Sequence, residues 1–591
     1  MNVIPVPKKF LKKEEALSLC GRNITLDVCC DTRLMRAAVA LKNELSKRSD
    51  SFVKLTQRPE AGAGDIFVTV SDKGGDGYRI VADERGIKVS GNSPRGAFYG
   101  IQTLLQIVRT SESLDIVQFE IEDEPDFSDR GFYHDVTRGR LPKLETLKEL
   151  ADMLAYFKIN SMQLYIEDAF DFLEFDGIMP KTDMLTAEDI IELDEYCNER
   201  FIELVPSISC FGHLYNLLQS EKYAHLCELE SYTPERHYWI EKMRHHTIDA
   251  SNPESLEVVK SMIDQFVGLC RSNRFNICCD ETFDICKGRN AGKDAGEEYF
   301  GFVNKIIKHL ESRGKTIMMW GDVVLRHEDK IGLLPKDTVV LHWSYGPSPA
   351  VERFEIFAKS GLTYYVCPGT STWNRFSELT SCSYQNITKM AKLGYDNGAT
   401  GFLNTNWGDF GNTCSLVASR YGIVLGAERG WNASDDLLGE DFEKAFTALA
   451  YPGQLSGCEN IVPIIRELET CEDMGAQWRR MVDWYSATSV EGKEVDFFTD
   501  EETLHRAIDS SFMLLSKLEA IKGEGDDVCE LIAAVKAVIL LNRIAVRIIN
   551  KDAKTVDPSA WLDEYSALWL RTSKESQLYR IKDFISTLCT L

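Results

Sequence analysis

Residues 130–168 read RGFYHDVTRGRLPKLETLKELADMLAYFKINSMQLYIED. GFYHDV (131–136) and SMQLYIED (161–168) are short runs rich in β-branched and aromatic residues. LETLKELADMLAYFKI between them repeats its apolar residues at helical spacing. Two largely apolar strands joined by a helix are a βα unit of a parallel sheet, buried on both faces.

The same alternation continues downstream. Further strands are expected at FIELVPSIS (201–209), FNICCDE (275–281), IMMWGDVV (317–324), VVLHWSYG (339–346), TYYVCPGT (363–370) and GFLNTNWGDF (401–410). AGEEYFGFVNKIIKHLESRG is one of the intervening helices, closed by Gly314. Eight βα units over roughly 300 residues fit an α/β fold of the TIM (β/α)8 barrel type, expected over residues 127–434. Upstream, two alternating strands, Tyr78–Ala82 and Gly86–Ser90, lead into an amphipathic helix with Ala97, Ile101, Leu104, Leu105 and Val108 on one face. That makes residues 1–126 a small N-terminal α/β domain, joined to the barrel by the acidic segment EDEPDFSDR. Beyond about residue 435 only helical periods remain, so 435–591 is expected to be an α-helical C-terminal domain. Its apolar faces could pack on the barrel or form a homodimer interface, and both readings stay open at this point.

The 591 residues carry a net charge of −25, which argues against nucleic acid and anionic membrane as partners. The first residues contain no apolar stretch long enough for a signal peptide, and no 18-residue apolar run follows. The 17 cysteines are scattered through apolar runs, the habit of reduced core thiols, so a cytoplasmic setting is expected. Cys278 and Cys279 lack a second ligand pair at zinc spacing, and no metal or other cofactor is expected.

TIM-barrel active sites lie at the C-terminal strand ends. Here those ends carry Asp135, Glu167, Asp168, Asp280, Glu281, Trp320, Asp322, Trp343, Trp407 and Asp409, with His213 in the loop after the third strand. One such acid could be a helix cap. Acids on five strand ends, with tryptophans beside them, suit a sugar: indole faces stack on pyranose C–H groups while carboxylates bond the hydroxyl rim. Successive strand residues face opposite sides, so for Asp280 and Glu281 to share a site the strand must end or twist there.

RGFYHDVTR (130–138), KINSMQLYIED, the Gly-His213 loop and Asp280-Glu281 together resemble glycoside hydrolase family 20, the β-N-acetylhexosaminidases, and SGNSPRGAFYGIQTLLQIV resembles the small domain that precedes the barrel there. The resemblance implies an exo-acting, retaining hydrolase of terminal β-linked GlcNAc or GalNAc, on an oligosaccharide or glycoconjugate, in which the substrate's own acetamide is the nucleophile. It implies that Glu281 is the acid/base, with a raised pKa, and that Asp280 orients the acetamide. Arg130 would grip sugar hydroxyls, its bland alternative being an inter-domain salt bridge. Asp168 and His213 would support the acid, Trp320, Trp343 and Trp407 would wall the pocket, and Asp409 would bind the 4- or 6-hydroxyl. The seventh strand departs from the family pattern: Trp373 and Arg375 stand where a tyrosine and an aspartate are usual. Trp373, or Tyr365 on the strand, is then expected to donate to the acetamide oxygen, and the choice between GlcNAc and GalNAc stays open. Gln163 and Tyr165 likewise replace two usual histidines. A metal-dependent barrel enzyme and a non-catalytic sugar-binding relative are the competing readings. The first usually adds a strand-end lysine or histidine base, and no strand named above ends in lysine.

Overall fold

In the computed structural model the described residues are 2–49, 52–230, 234–523, 525–551 and 555–591. The N-terminal sheet holds β1 (Lys9–Ser18), β2 (Ile24–Leu26), β3 (Leu55–Gln57), β4 (Ile66–Val70), β5 (Tyr78–Asp83), β6 (Gly86–Gly91) and β7 (Asp115–Asp123) in the order β1-β7-β5-β6-β4-β2-β3. Helix Pro94–Thr110 starts as its sequence dictates: the Ser93 Oγ accepts from the Gly96 N–H at 3.1 Å, with Pro94 in the first turn. The helix is buried continuously from Gly96 to Val108 rather than along one stripe. It is enclosed on several sides: Gly100 approaches Val89 of β6, while the Gln106 amide reaches the Tyr156 carbonyl of the barrel at 2.9 Å.

Eight parallel strands follow: β8 (Asp129–Asp135), β9 (Ser161–Tyr165), β10 (Glu203–Val205), β11 (Arg274–Asn276), β12 (Thr316–Trp320), β13 (Val339–Trp343), β14 (Thr363–Cys367) and β15 (Gly401–Asn406). Each pairs in parallel with its neighbour, and β15 pairs with β8. The ring closes between β10 and β11 through a bridge of Ser207 to Asn276, with the Asn276 N–H donating to the Pro206 carbonyl at 2.8 Å. This is the expected TIM barrel. All eight strands lie within or overlap the runs read from sequence, but most are shorter, ending before the polar residues those runs contained. Apolar side chains outside the ring pack under the helices. Inside it, Tyr133, Tyr165, Cys278, Met318, Trp320, Tyr365 and Trp407 form a separate core, the layered interior of such barrels.

From Glu440 onward the described residues form helices, among them Val462–Met474, Trp478–Tyr485, Asp527–Asn550 and Ser559–Thr572. They pack on the barrel, at the mouth where the strands end. The Trp478 indole donates to the Phe410 carbonyl at 2.8 Å, and the Ser576 hydroxyl donates to the Gly139 carbonyl at 2.7 Å. Arg140 lies over the Trp569 ring at 4.5 Å. Among the described residues no helix is long and apolar enough to cross a membrane, and no disulfide forms.

Candidate active site

β11 stops at Asn276, and the chain then kinks: Cys278, Cys279 and Glu281 adopt φ of 55°, 62° and 48°. Each left-handed non-glycine residue costs about 1–2 kcal/mol. The kinks end the strand's in–out alternation, so consecutive carboxylates, Asp280 and Glu281, reach one cavity. Opposite them His213, also left-handed at φ 59°, places Nε2 3.3 Å from Asp280 Oδ2 and 3.5 Å from Glu281 Oε2. Gly212 permits that approach, because a Cβ there would lie 2.6 Å from the Asp280 carbonyl oxygen. The His213 N–H donates to His246 Nδ1 at 2.7 Å.

Burial alone would lower the His213 pKa, but Asp280 and Glu281 raise it to about 10, so the ring is a cation. That cation reverses one expectation. Burial pushes the Glu281 carboxyl up, yet His213, with Arg138 and Arg326 beyond it, outweighs burial and holds it below its ordinary value. Glu281 is therefore held as a carboxylate rather than protonated. Its backbone N–H donates to Asp322 Oδ2 at 3.2 Å, and burial together with the Asp280 charge pushes Asp322 up to about 7.

The cavity, about 330 Å³, opens at the C-terminal strand ends. Trp320, Trp343, Trp373 and Trp407 all line it, as does Asp409, left-handed at φ 40°. Trp320 and Trp407 pack on Tyr133 with ring centroids 5.1 and 5.2 Å away. Trp343 stacks on Tyr345 at 5.1 Å and 18°, and the Tyr345 hydroxyl accepts from the Trp407 indole at 2.7 Å. Trp373 packs on the other side of Tyr345 at 5.1 Å.

Three expected residues lie elsewhere. Arg130 is at the start of β8, the opposite end of the barrel, and is 1 % exposed. It binds Asp76 of the N-terminal domain at 3.2 Å, the Tyr99 hydroxyl at 2.9 Å and the Lys158 carbonyl at 3.1 Å, so it is the inter-domain salt bridge. The arginine of the cavity is Arg138, just past the other end of β8. Its guanidinium lies 3.5 Å from Asp135, 3.4 Å from Glu167 and 3.3 Å from Asp409, and 5.1 Å from the centre of the Trp407 ring. Tyr365 points down the barrel, its hydroxyl bonding Asp129 at 3.2 Å and Arg274 at 2.9 Å near the N-terminal strand ends. Asp168 turns away to the Asn216 amide. Its neighbour Glu167 lines the cavity instead, pulled down to about 2 because Lys242 at 2.9 Å and Arg138 outweigh burial. Arg375 leaves the site to pair with Asp473 at 2.6 Å on the C-terminal domain, and Asn374 takes the place beside Asp409, donating at 3.2 Å.

Sequence reasoning named Glu167 only as one of the strand-end acids and missed Arg138, Tyr345, Trp239, Lys242 and Arg479; all six line the cavity. Arg138 and Glu167 stand within the quoted motifs. Tyr345 had a signal too, two residues after Trp343 and hence on the same side of an extended chain. Trp239 and Lys242 come from the long loop after β10, and Arg479, 4.3 Å over the Phe410 ring, comes from the C-terminal domain. No local period marks those three.

Residues 1–124 match the model of glycosyl hydrolase family 20, domain 2, and residues 127–393 match that family's catalytic domain. A beta-hexosaminidase of Porphyromonas gingivalis is 26 % identical over 378 residues, covering 58 % of this chain and 47 % of its own. A lacto-N-biosidase of Bifidobacterium bifidum is 22 % identical over 369 residues, 58 % of this chain and 31 % of that one. The chain thus spans a half or less of these relatives. Among solved structures, Flavobacterium johnsoniae chitobiase superposes with a TM-score of 0.62 at 15 % identity, over 100 % of this chain and 99 % of that one. The beta-N-acetylhexosaminidase of Bacteroides fragilis gives 0.60 at 18 % identity, over 75 % and 93 %. These two likenesses speak for the fold; the two family models, the second spanning the kinked Asp280-Glu281 segment, speak for descent, and the chain belongs to glycosyl hydrolase family 20.

Proposed function

We propose that the cavity hydrolyses the glycosidic bond of a terminal β-linked N-acetylhexosamine with retention, the substrate's acetamide oxygen acting as nucleophile. One observation carries this reading: ligand atoms of Asp280, Glu281 and His213 lie within 4.8 Å of one another on one side of the cavity. Two-carboxylate glycosidases hold their pair about 5–5.5 Å apart for retention or about 6.5–9.5 Å for inversion, across the bond to be cleaved. Asp280 and Glu281 are adjacent and share one histidine, an arrangement for serving two neighbouring atoms of a single sugar. The other carboxylates of the cavity, Glu167 and Asp409, are engaged by Arg138, which makes them poor nucleophiles.

The roles follow. Glu281 protonates the leaving oxygen and then deprotonates water, and Asp280 accepts the acetamide N–H and stabilises the oxazolinium. Before substrate binds, the proton resides on His213. When the acetamide engages Asp280, that proton becomes available to Glu281 across the 3.5 Å separation. The Tyr345 hydroxyl and Trp373 indole are the donors for the acetamide oxygen, and Trp320, Trp343 and Trp407 stack on the ring and methyl group. Asp409 and the Arg138 fork take the hydroxyl rim.

The deciding measurement is a panel of aryl β-glycosides of GlcNAc, GalNAc, glucose and galactose. Turnover of only the N-acetyl sugars, with tight inhibition by a thiazoline mimic of the oxazolinium, is expected. Equal turnover of glucose, or indifference to the thiazoline, overturns the mechanism.

A further inference from the structure

We propose that His213, Asp280 and Glu281 also form a three-point binding site for a zinc-class divalent cation, which occupies the position of the catalytic proton and switches the site off. Two edges of the cluster have the spacing of a metal face. Four ligands about 2.0–2.1 Å from a tetrahedral zinc stand about 3.3–3.4 Å from one another, and His213 Nε2 stands 3.3 Å from Asp280 Oδ2 and 3.5 Å from Glu281 Oε2. All three ligand atoms fall within 4.8 Å. Imidazole nitrogen and carboxylate oxygen both serve as zinc donors.

A second observation points to a ligand there. His213 Nε2 and Asp280 Oδ1 are buried yet make no hydrogen bond, although their residues are only 3 % and 8 % exposed. Buried polar atoms are normally satisfied, so the Asp280 oxygen is open to a cation, and the His213 nitrogen, ion-paired with both carboxylates, becomes so once its proton is displaced. The supporting shell is in place: His246 fixes the His213 backbone at 2.7 Å, and Asp322 fixes that of Glu281 at 3.2 Å. All three residues line the cavity, so a cation held by them would lie where the leaving oxygen must be protonated.

The cation displaces the proton of His213 into solvent and engages the Glu281 oxygen that would carry a proton to the leaving group. Bound zinc and bound sugar therefore exclude each other. The imidazole favours zinc and cobalt over magnesium and calcium, which prefer all-oxygen shells. The inhibitory consequence rests on the function proposed above; the binding itself does not.

Metal-stripped protein is titrated with cobalt(II) and its visible spectrum recorded, and zinc is titrated against turnover of an aryl N-acetylhexosaminide. Intense tetrahedral cobalt bands, abolished by the thiazoline, are expected. Zinc inhibition should be reversed by EDTA and not reproduced by magnesium at the same concentration. His213→Gln should lose the bands and raise the half-inhibiting zinc concentration about tenfold or more. Asp280→Asn should do likewise if the histidine variant fails to fold. Absent bands, bands that survive in the folded variant, or bands unmoved by a thiazoline that binds (the mark of thiol capture) overturn the site. A protein that turns over no hexosaminide yet shows the bands overturns the proposed function and leaves the metal site standing.

Discussion

The two ends of the barrel each bury an arginine among oxygens, and the two arginines do different work. At the N-terminal end Arg130 is enclosed by Asp76, Tyr99 and backbone carbonyls, with the Trp431 ring 4.9 Å from its charge. Below the same strands, Arg274 is held by Asp129, Glu203 and Tyr365. Charge there is paired and covered by the N-terminal domain. At the other end Arg138 faces three carboxylates beside a cavity, and His213, Asp280, Trp320 and Asp322 each leave a buried polar atom without a hydrogen bond. Burial does not separate architecture from chemistry here. What separates the two arginines is what they face: Arg130 is enclosed by its partners, whereas Arg138 lines an open cavity.

Three substitutions test that contrast. Glu281→Gln removes the proton carrier and should lower kcat by about 10²–10⁴-fold with the fold intact; an unchanged rate on an aryl N-acetylhexosaminide defeats the assignment. Arg138→Lys keeps the charge and loses the fork, so kcat/KM should fall about 10- to 100-fold, equivalent to a charged hydrogen bond. Arg130→Met should do the reverse, costing about 3–5 kcal/mol of stability for a broken buried pair while the folded fraction retains its kcat/KM. If Arg130→Met instead lowers kcat/KM without a change in melting, the contrast between the two ends fails.

Glu378 tests the rule away from either arginine. It is fully buried, accepts from the Gly422 N–H at 2.8 Å and the Ser383 hydroxyl at 2.5 Å, and burial pushes it up to about 8. Because its folded pKa is the higher, the folded state keeps a proton that the unfolded chain releases above about pH 4.3. Its contribution therefore falls as pH rises from there to about 8. Glu378→Gln should melt like the parent at pH 5 and a few degrees above it at pH 8; equal melting at both pH values removes the argument. The smallest effect belongs to Arg479→Ala, a half-exposed group at the rim, which should raise KM a few-fold and leave kcat alone.

The barrel was legible because buried parallel strands are apolar runs whose boundaries need only approximate reading. The runs came out too long at the functional ends, where Cys278, Cys279 and Glu281 leave extended geometry, and hydrophobic period cannot register a left-handed turn. Arg130 and Arg138 both stand in the opening motif, and only strand polarity tells them apart: the first lies at the start of β8 and the second follows its end. Tyr345 was readable from its spacing to Trp343. Lys242 and Arg479 were not, since one hangs on a long irregular loop and the other is delivered by a domain whose docking is a tertiary event. The pKa of Glu281 was unreadable for a similar reason: its sign depends on a histidine 68 positions earlier in sequence reaching within 3.5 Å.

The bond from Ser576 to Gly139 joins residues 437 apart in the chain. Gly139 follows Arg138 directly, and Lys574 and Gln577 bond the same loop at Leu141 and Gly139. During translation, the cavity arginine Arg138 is made early and the anchor of its loop arrives far later. A nascent chain stalled before residue 576 would carry every residue of the acid/base cluster with an unmoored loop at the mouth. Catalytic competence should thus switch on late in synthesis, and a ribosome-release series that shows turnover before that point would refute this timing.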